Sequence, residues 1–509
     1  MKKTFTTCLL ALPLLMACGN RPALQADVYP APGAKEINPD THLTLTFKST
    51  PMVGDSGFVR IFDAETDELV DSLDLSVPAG PTESRQYGPD CDYTKVPYDY
   101  TRTTVPTNRN TVPGTPSGTA EPTPPDYQLT IIGGFTDAFH FYPILVRDST
   151  ATIYLHNNML EYGKRYYVTI DNGVISVPDS TFTGVTKAQR WTFTTKAQAP
   201  QRTDTLVVDG KGNGDFNTLQ GALDFIPDFS EQPTVILVKA GDYEELVYTR
   251  NKKNVKIKGE GMDRTRVHYA NNEVFNPHPL TVKTNEWSGT FPSRRAAFML
   301  DNCTDIVMED LTVATDLFGQ AEGLLVNGER IALYRVHIIG SGDALQANGT
   351  LYMECCELDG GGDTILGRGT VFAYRSNFRN DGGPFSWVRN TAGNHGDIFV
   401  ECTFSSNTDR PANYGRTRSS NQGYPDAELV LINCRVKDII PEGWGNIGYK
   451  TARMYEYNTC DMVTGEPVDV SKRDPWSRQL TMDKDAELIQ YYQTPSCVLK
   501  GWTPETQIK

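Results

Sequence analysis

The chain has 509 residues and a formal net charge of −15. Its length predicts two or three folding units rather than one, and its acidity excludes nucleic acid as a natural partner. The same acidity would repel a polyanionic polysaccharide in bulk, so a cleft for such a ligand must carry local Arg or Lys.

Met1-Lys2-Lys3 followed by apolar residues through Met16 reads as a secretory signal. Leu15-Met16-Ala17-Cys18 resembles a bacterial lipoprotein cleavage box, which implies a signal peptide over 1–17 and a lipid on Cys18. No later run approaches the ~18 apolar residues of a membrane helix. An exported protein is therefore expected, an outer-membrane lipoprotein on the cell-surface or periplasmic side, reaching the membrane through its lipid alone. Of the ten cysteines, Cys356, Cys402 and Cys434 lie in strand-like runs and read as small buried side chains rather than disulfide partners.

After a tether over 18–27, short alternating segments begin: Leu43–Phe47, Gly57–Phe62, Ala151–Leu155, Tyr166–Ile170 and Trp191–Thr195. Such spacing predicts a β-sandwich over 28–196, and its opening and closing stretches resemble bacterial Ig-like modules. Between about 78 and 128 Pro, Thr and Gly dominate, an insertion with no catalytic pattern. This unit reads as a spacer. Gly54-Asp55-Ser56 is a turn.

Residues 197–204 form a linker, and 205–509 a second unit. The glycines at 210, 212 and 214 lack the spacing and lysine of a phosphate loop. Leu219, Leu223 and Ile226 recur at helical spacing and predict a capping helix. Short strands then recur: Thr234–Val238, Val255–Lys258, Ile306–Met308, Ile331–Leu333, Leu351–Met353, Val371–Ala373, Ile398–Val400 and Leu429–Ile432. Glycine and Asn/Asp turns separate them, with a projecting loop expected over Ser405–Asp426 and a closing helix near Ala486–Gln490. The fold class is all-β, a sandwich followed by a right-handed parallel β-helix.

Within this unit Val336–Asp343 and Cys356–Asp363 repeat one pattern, a short apolar strand running through glycine to a carboxylate, twenty residues apart. On adjacent coils Asp343 and Asp363 would stand about 4.8 Å apart along the stack. Two carboxylates that close cannot both ionise cheaply, so one acts as acid while the other attacks or serves as base. Alternatively both are turn residues, because Asp after Gly is common in loops.

The order of segments from Val207 onward, about 300 residues, resembles the pectin methylesterase family. "GDFNTLQGALDFIP", "ILVKAGDYEELV", "GQAEGLLV", "GSGDALQ", "GGGDTILG", "NYGRTR" and "PEGW" fall in the family's sequence. The resemblance implies Asp363 as nucleophile on a galacturonate methyl ester, Asp343 as acid and then base, Arg416 as the cation that orients Asp363, and Gln320 as a donor to substrate or oxyanion. It calls for no cofactor and no metal, with pectin or another galacturonate polysaccharide as partner and a monomer as the simplest state.

There are departures. Gly342 stands where the family carries a glutamine donor, and Gln346 is the nearest replacement. Thr364 and Leu366 replace aromatics, and Arg418 stands where a tryptophan is usual. Arg368, Arg389 and Arg418 are candidate partners for galacturonate carboxylates, and Trp387 and Trp444 are candidate sugar-stacking surfaces. These changes leave two other readings, an esterase for another pectic ester such as acetyl, and a polysaccharide-binding β-helix with weakened catalysis. No G-x-S-x-G elbow, H-E-x-x-H zinc motif or calcium-binding carboxylate cluster supports a serine hydrolase, a zinc hydrolase or a lyase.

Overall fold

The computed structural model describes residues 23–82, 127–135, 138–178, 181–276, 293–419, 422–475 and 477–507. The signal segment, Cys18 and most of the Pro/Thr-rich insertion lie outside the described residues, as does the side chain of Arg418.

Two larger sheets build the N-terminal part, beside two two-stranded ones. One orders strands Asp27–Tyr29, Leu43–Thr46, Thr150–Ile153 and Ile144–Arg147; the other orders Ala34–Ile37, Thr192–Thr195, Arg165–Ile170, Phe58–Asp63 and Leu69–Asp74. Alternation along each strand turns Leu43, Leu45, Ile61, Val168 and Phe193 into one shared core. All five strands expected from the sequence lie in these two sheets.

The second part is one continuous parallel sheet wound into coils. Each coil crosses three ladders, as one long strand over Phe298–Thr315 and over Leu324–Ile339 and as separate short strands in the coils that follow. The first passes through Leu324, Leu345, Ile365, Ser386 and Gly415. The second passes through Ile306, Ile331, Leu351, Val371, Asp397 and Leu429. The third passes through His337, Glu357, Asn377, Thr403 and Arg435. Parallel ladders with crossovers of this kind wind right-handed.

Between the second and third ladders the chain turns a corner at a single left-handed residue in each coil. These are Asp310, Arg335, Cys355, Arg375, Glu401, Asn433 and Asn458, with φ between 48° and 59°. The stack offsets the local cost by pairing neighbours along the corner, as in Arg335 Nε to Asp310 Oδ1 at 2.6 Å and Arg375 Nε to Glu401 Oε2 at 2.7 Å. Inside, aliphatic, Phe and Cys side chains fill the bore; Cys356, Cys402 and Cys434 are buried thiols, and the described cysteines form no disulfide.

The helix Leu219–Phe225 seals the first coil, with the Thr218 hydroxyl accepting from Gly221 N. At the far end the helix Met482–Gln493 lies on the outer side of the second ladder, burying Ile489 and Tyr492 against Phe372, Ile398 and Ile432.

The sandwich is not a detached spacer. Asp40 accepts hydrogen bonds from the backbones of Asn217 and Thr218 and from the Thr218 hydroxyl, each at 2.9 Å, at the start of the sealing helix. Further along, Ile132, Phe135 and Phe139 pack on Tyr248, Tyr269, Phe275 and Met299 of the coils.

Candidate active site

The first ladder carries the site. Its outward row runs Leu325, Gln346, Leu366, Trp387, Arg416, one residue per coil. Arg416 therefore belongs to a ladder strand, Asn413–Arg416, which corrects the reading of Ser405–Asp426 as a wholly projecting loop. Two residues before this ladder, on adjacent coils, sit Asp343 and Asp363.

Glycine makes that stacking possible. Gly362 N donates to Gly342 O at 2.5 Å, and a Cβ on Gly361 would stand 2.2 Å from Ser341 O. The turn before Asp363 nests on the turn before Asp343 because Gly361 and Gly362 bring no side chains to the contact. Gly342 is held from the other side as well, since a Cβ there would lie 2.7 Å from the backbone oxygen of Gly319.

Asp363 is 6% exposed and is gripped by Arg416, whose Nε donates to Oδ1 at 2.8 Å while a second nitrogen donates to Oδ2. This two-point pair keeps the Arg416 charge firmly in place, above its ordinary range. Trp387 lies against the guanidinium, with Arg416 Cζ 4.1 Å and Arg389 Cζ 4.6 Å from its ring centroid. The half-buried tryptophan thus braces two arginines.

Asp343 has a different environment. Burial pushes its carboxyl up to about 7, with Glu322 and Asp363 adding to the rise and Arg295 and Arg389 opposing it. The dyad therefore pairs an arginine-bound carboxylate with a carboxyl group that holds its proton near neutrality.

The sequence reading missed Arg295 and Glu322. Arg295 Nε donates to both Glu322 oxygens at 2.8 and 2.9 Å, its NH1 to Gln320 Oε1 at 2.5 Å, and its NH2 to Asp343 Oδ2 at 3.2 Å. Gln320 is thereby brought to the dyad. The missed signal was a third carboxylate in phase: Glu322 stands two residues before Leu324, as Asp343 does before Leu345 and Asp363 before Ile365.

The remaining candidates separate. Gln346 is buried in the outward row, its amide oxygen without a partner among the described residues. Arg368 is half-buried with its guanidinium 5.3 Å from the Tyr424 ring centroid. Trp444 is not a sugar surface: it is 3% exposed and packs edge-on against Tyr414 at 5.3 Å in the core. An open groove of about 380 Å³ flanks the turn before Asp343, lined by Phe318, Ser341, Gly361, Asp381 and Asn407. Phe318 stands at its rim, 92% exposed.

Glu244, His268 and Asp316 bring ligand-type atoms together near this groove. Their carboxylates are already paired, Glu244 with Arg147 at 3.0 Å and Asp316 with Arg266 at 2.9 Å, so cations of the chain itself occupy the cluster.

The family model described as Pectinesterase matches residues 205–497. The chain belongs to the pectinesterase family. Among curated proteins, this pectinesterase is 26% identical to probable pectinesterase 8 of Arabidopsis thaliana over 57% of its own length and 75% of the relative's. It is 24% identical to pectinesterase 31 of the same plant over 56% of its length and 90% of that protein's. Among solved structures, the carrot pectin methylesterase aligns at 19% identity and a TM-score of 0.47, over 60% of this chain and 95% of the carrot one. PemA of Erwinia chrysanthemi aligns at 19% identity and a TM-score of 0.46, over 60% and 99%.

Proposed function

We propose that this pectinesterase hydrolyses methyl esters of galacturonate units in pectin through the Asp363–Asp343 dyad. The observation that carries the reading is the asymmetry of the dyad: Asp363 is clamped by Arg416 while burial pushes the Asp343 carboxyl up to about 7.

A carboxylate oxygen of Asp363 attacks the ester carbonyl carbon, and the carbonyl electron pair moves onto its oxygen. The Gln320 amide donates a hydrogen bond to that oxyanion. As the tetrahedral species collapses, Asp343 gives its proton to the departing methoxide and methanol leaves an acyl-aspartate on Asp363. Asp343, now ionised, takes a proton from water, whose hydroxide attacks the acyl carbon and returns Asp363 as a carboxylate. Arg389 and Arg368 are cations for neighbouring carboxylates of an acidic polysaccharide that the net charge of −15 would otherwise repel.

The lipoprotein box ending at Cys18 supports export and a lipid tether, with the enzyme working at an outer-membrane surface. Metabolic labelling with a fatty-acid analogue, lost in Cys18→Ala, tests that tether.

The deciding experiment is methanol release from highly methylated pectin. Wild type releases methanol, and Asp363→Ala, folded by circular dichroism, lowers the rate by at least about 10³-fold. Acetate released from acetylated pectin in place of methanol would reassign the ester. Neither product from folded wild type would overturn the esterase reading.

A further inference from the structure

The residues that hold the acid and the amide donor converge on one side chain outside the family-type motifs. Arg295 comes from the strand edge before Phe298, and its guanidinium spans Gln320, Glu322 and Asp343. An arginine only donates, so the Gln320 atom facing it is the carbonyl oxygen. The Gln320 amide N–H2 is thereby turned away from Arg295 and available to the ester oxygen.

The same constraint acts on Asp343. Its Oδ2 accepts from Arg295 at 3.2 Å, which leaves Oδ1 to carry the transferable proton. Oδ1 lies toward the next coil, 3.7 Å from where a Cβ on Gly362 would stand, and so toward Asp363. Arg295 is itself held in place. Glu322 is fully buried beneath it and takes both of its fork hydrogens. The adjacent Arg294 is buried under Phe139, whose ring centroid is 4.3 Å from its Cζ, and donates to Ala138 O at 2.6 Å.

We propose that Arg295, anchored by Glu322, is a positioning residue of the esterase site that aims the Gln320 donor and orients and electrostatically tunes Asp343. The proposal rests on the roles given above to Gln320 and Asp343. It accounts for the glycine at 342: a site whose close coil contact leaves no room for a side chain there relies on the Gln320 amide, and that amide needs a fixed orientation.

The charged groups facing Asp343 are Arg295 and Glu322 from the preceding coils, Asp363 from the next, and Arg389 and Arg416 from those beyond. Removing the cation nearest the acid makes its proton harder to lose, and removing the anion does the opposite. The test measures methanol release by the full chain on methylated pectin across pH 5–9 for Arg295→Met, Arg295→Lys and Glu322→Gln, with melting curves as the folding control.

Arg295→Met is expected to lower kcat by roughly 10–100-fold with KM little changed, because the donor is misaimed rather than removed. Its basic limb, where activity falls as Asp343 ionises, moves to higher pH. In Glu322→Gln the limb moves to lower pH. Arg295→Lys keeps the charge without the fork, so its limb stays near that of wild type while kcat remains low. If Arg295→Met does not fold, the other two variants decide. Folded variants with wild-type kcat and unmoved limbs, or with losses confined to KM, overturn the proposal and leave the esterase reading standing. A wild type that releases no methanol removes both.

Discussion

Asp343 and Asp363 share residue type, strand position and glycine-rich approach, yet their surroundings push them apart chemically. One meets a forked arginine two coils on; the other is buried between Glu322 and Asp363 with a single guanidinium contact. If Asp343 must be protonated to release methanol, kcat/KM falls as pH rises through about 7, and Asp343→Asn removes that limb together with most of the activity. A pH–rate profile from pH 5 to 9 checks this. Gly342 leads to a prediction opposite to the one its family position invites. Restoring glutamine there is expected to lower methanol release, because its Cβ would fall 2.7 Å from a backbone oxygen of the Gly319 turn that carries Gln320. Comparing Gly342→Gln with Gly342→Ala separates the steric cost from any gain of a donor: if the glutamine variant outpaces both wild type and alanine, the coil contact yields.

Among the elements, the seven-residue helix Leu219–Phe225 depends most on groups outside itself. Its first turn leaves backbone donors that its own residues cannot satisfy. Asp40 from the sandwich and Glu245 from the coils supply the acceptors, Glu245 taking Leu219 N at 2.8 Å and Gln220 N at 2.9 Å. Asp40→Ala would orphan buried donors and is expected to cost about 2–4 kcal/mol, read by thermal or urea melting. Burial raises the Asp40 carboxyl from 3.8 to about 6, against the pull of its hydrogen bonds from Thr218 and Asn217. The folded state thus holds that proton more tightly than the unfolded chain, so this stabilisation is complete below pH 3.8 and is lost as pH rises through about 6. The variant's deficit should accordingly be larger at pH 4 than at pH 8.

Across the whole molecule, the sandwich and the β-helix share a core patch beside the first ladder. Phe139 and Ile132 cover Tyr248, Met299 and Leu325, and Leu325 heads the outward row that continues to Gln346 and Arg416. A chain beginning at Asp204 would expose that patch and strip Phe139 from Arg294, the neighbour of Arg295. It should melt lower than the full chain, self-associate in light scattering, and lose kcat more than KM. An unchanged melting temperature and kcat would return the sandwich to the status of a spacer.

Every β-helix strand placed from sequence, from Thr234–Val238 to Leu429–Ile432, lies in the second ladder or its extension. Those segments show because they carry runs of apolar residues, buried inside by the bore and outside by the C-terminal helix. The first and third ladders went largely unseen. Their strands are two to five residues long past Ile339, too short for alternation to register, and their outward residues mix polar and charged side chains with Leu366 and Trp387. Asp343, Asp363 and Arg416 were legible because a coil repeat and an ordered set of motifs mark them within the chain. Arg295 and Glu322 were not, nor was the burial of Trp444, because each depends on which side chains the winding brings together. Sequence spacing specifies phase along one chain; contact between coils also depends on register, close backbone approach and the packing of the sandwich behind Arg294, and those exist only once the chain has folded.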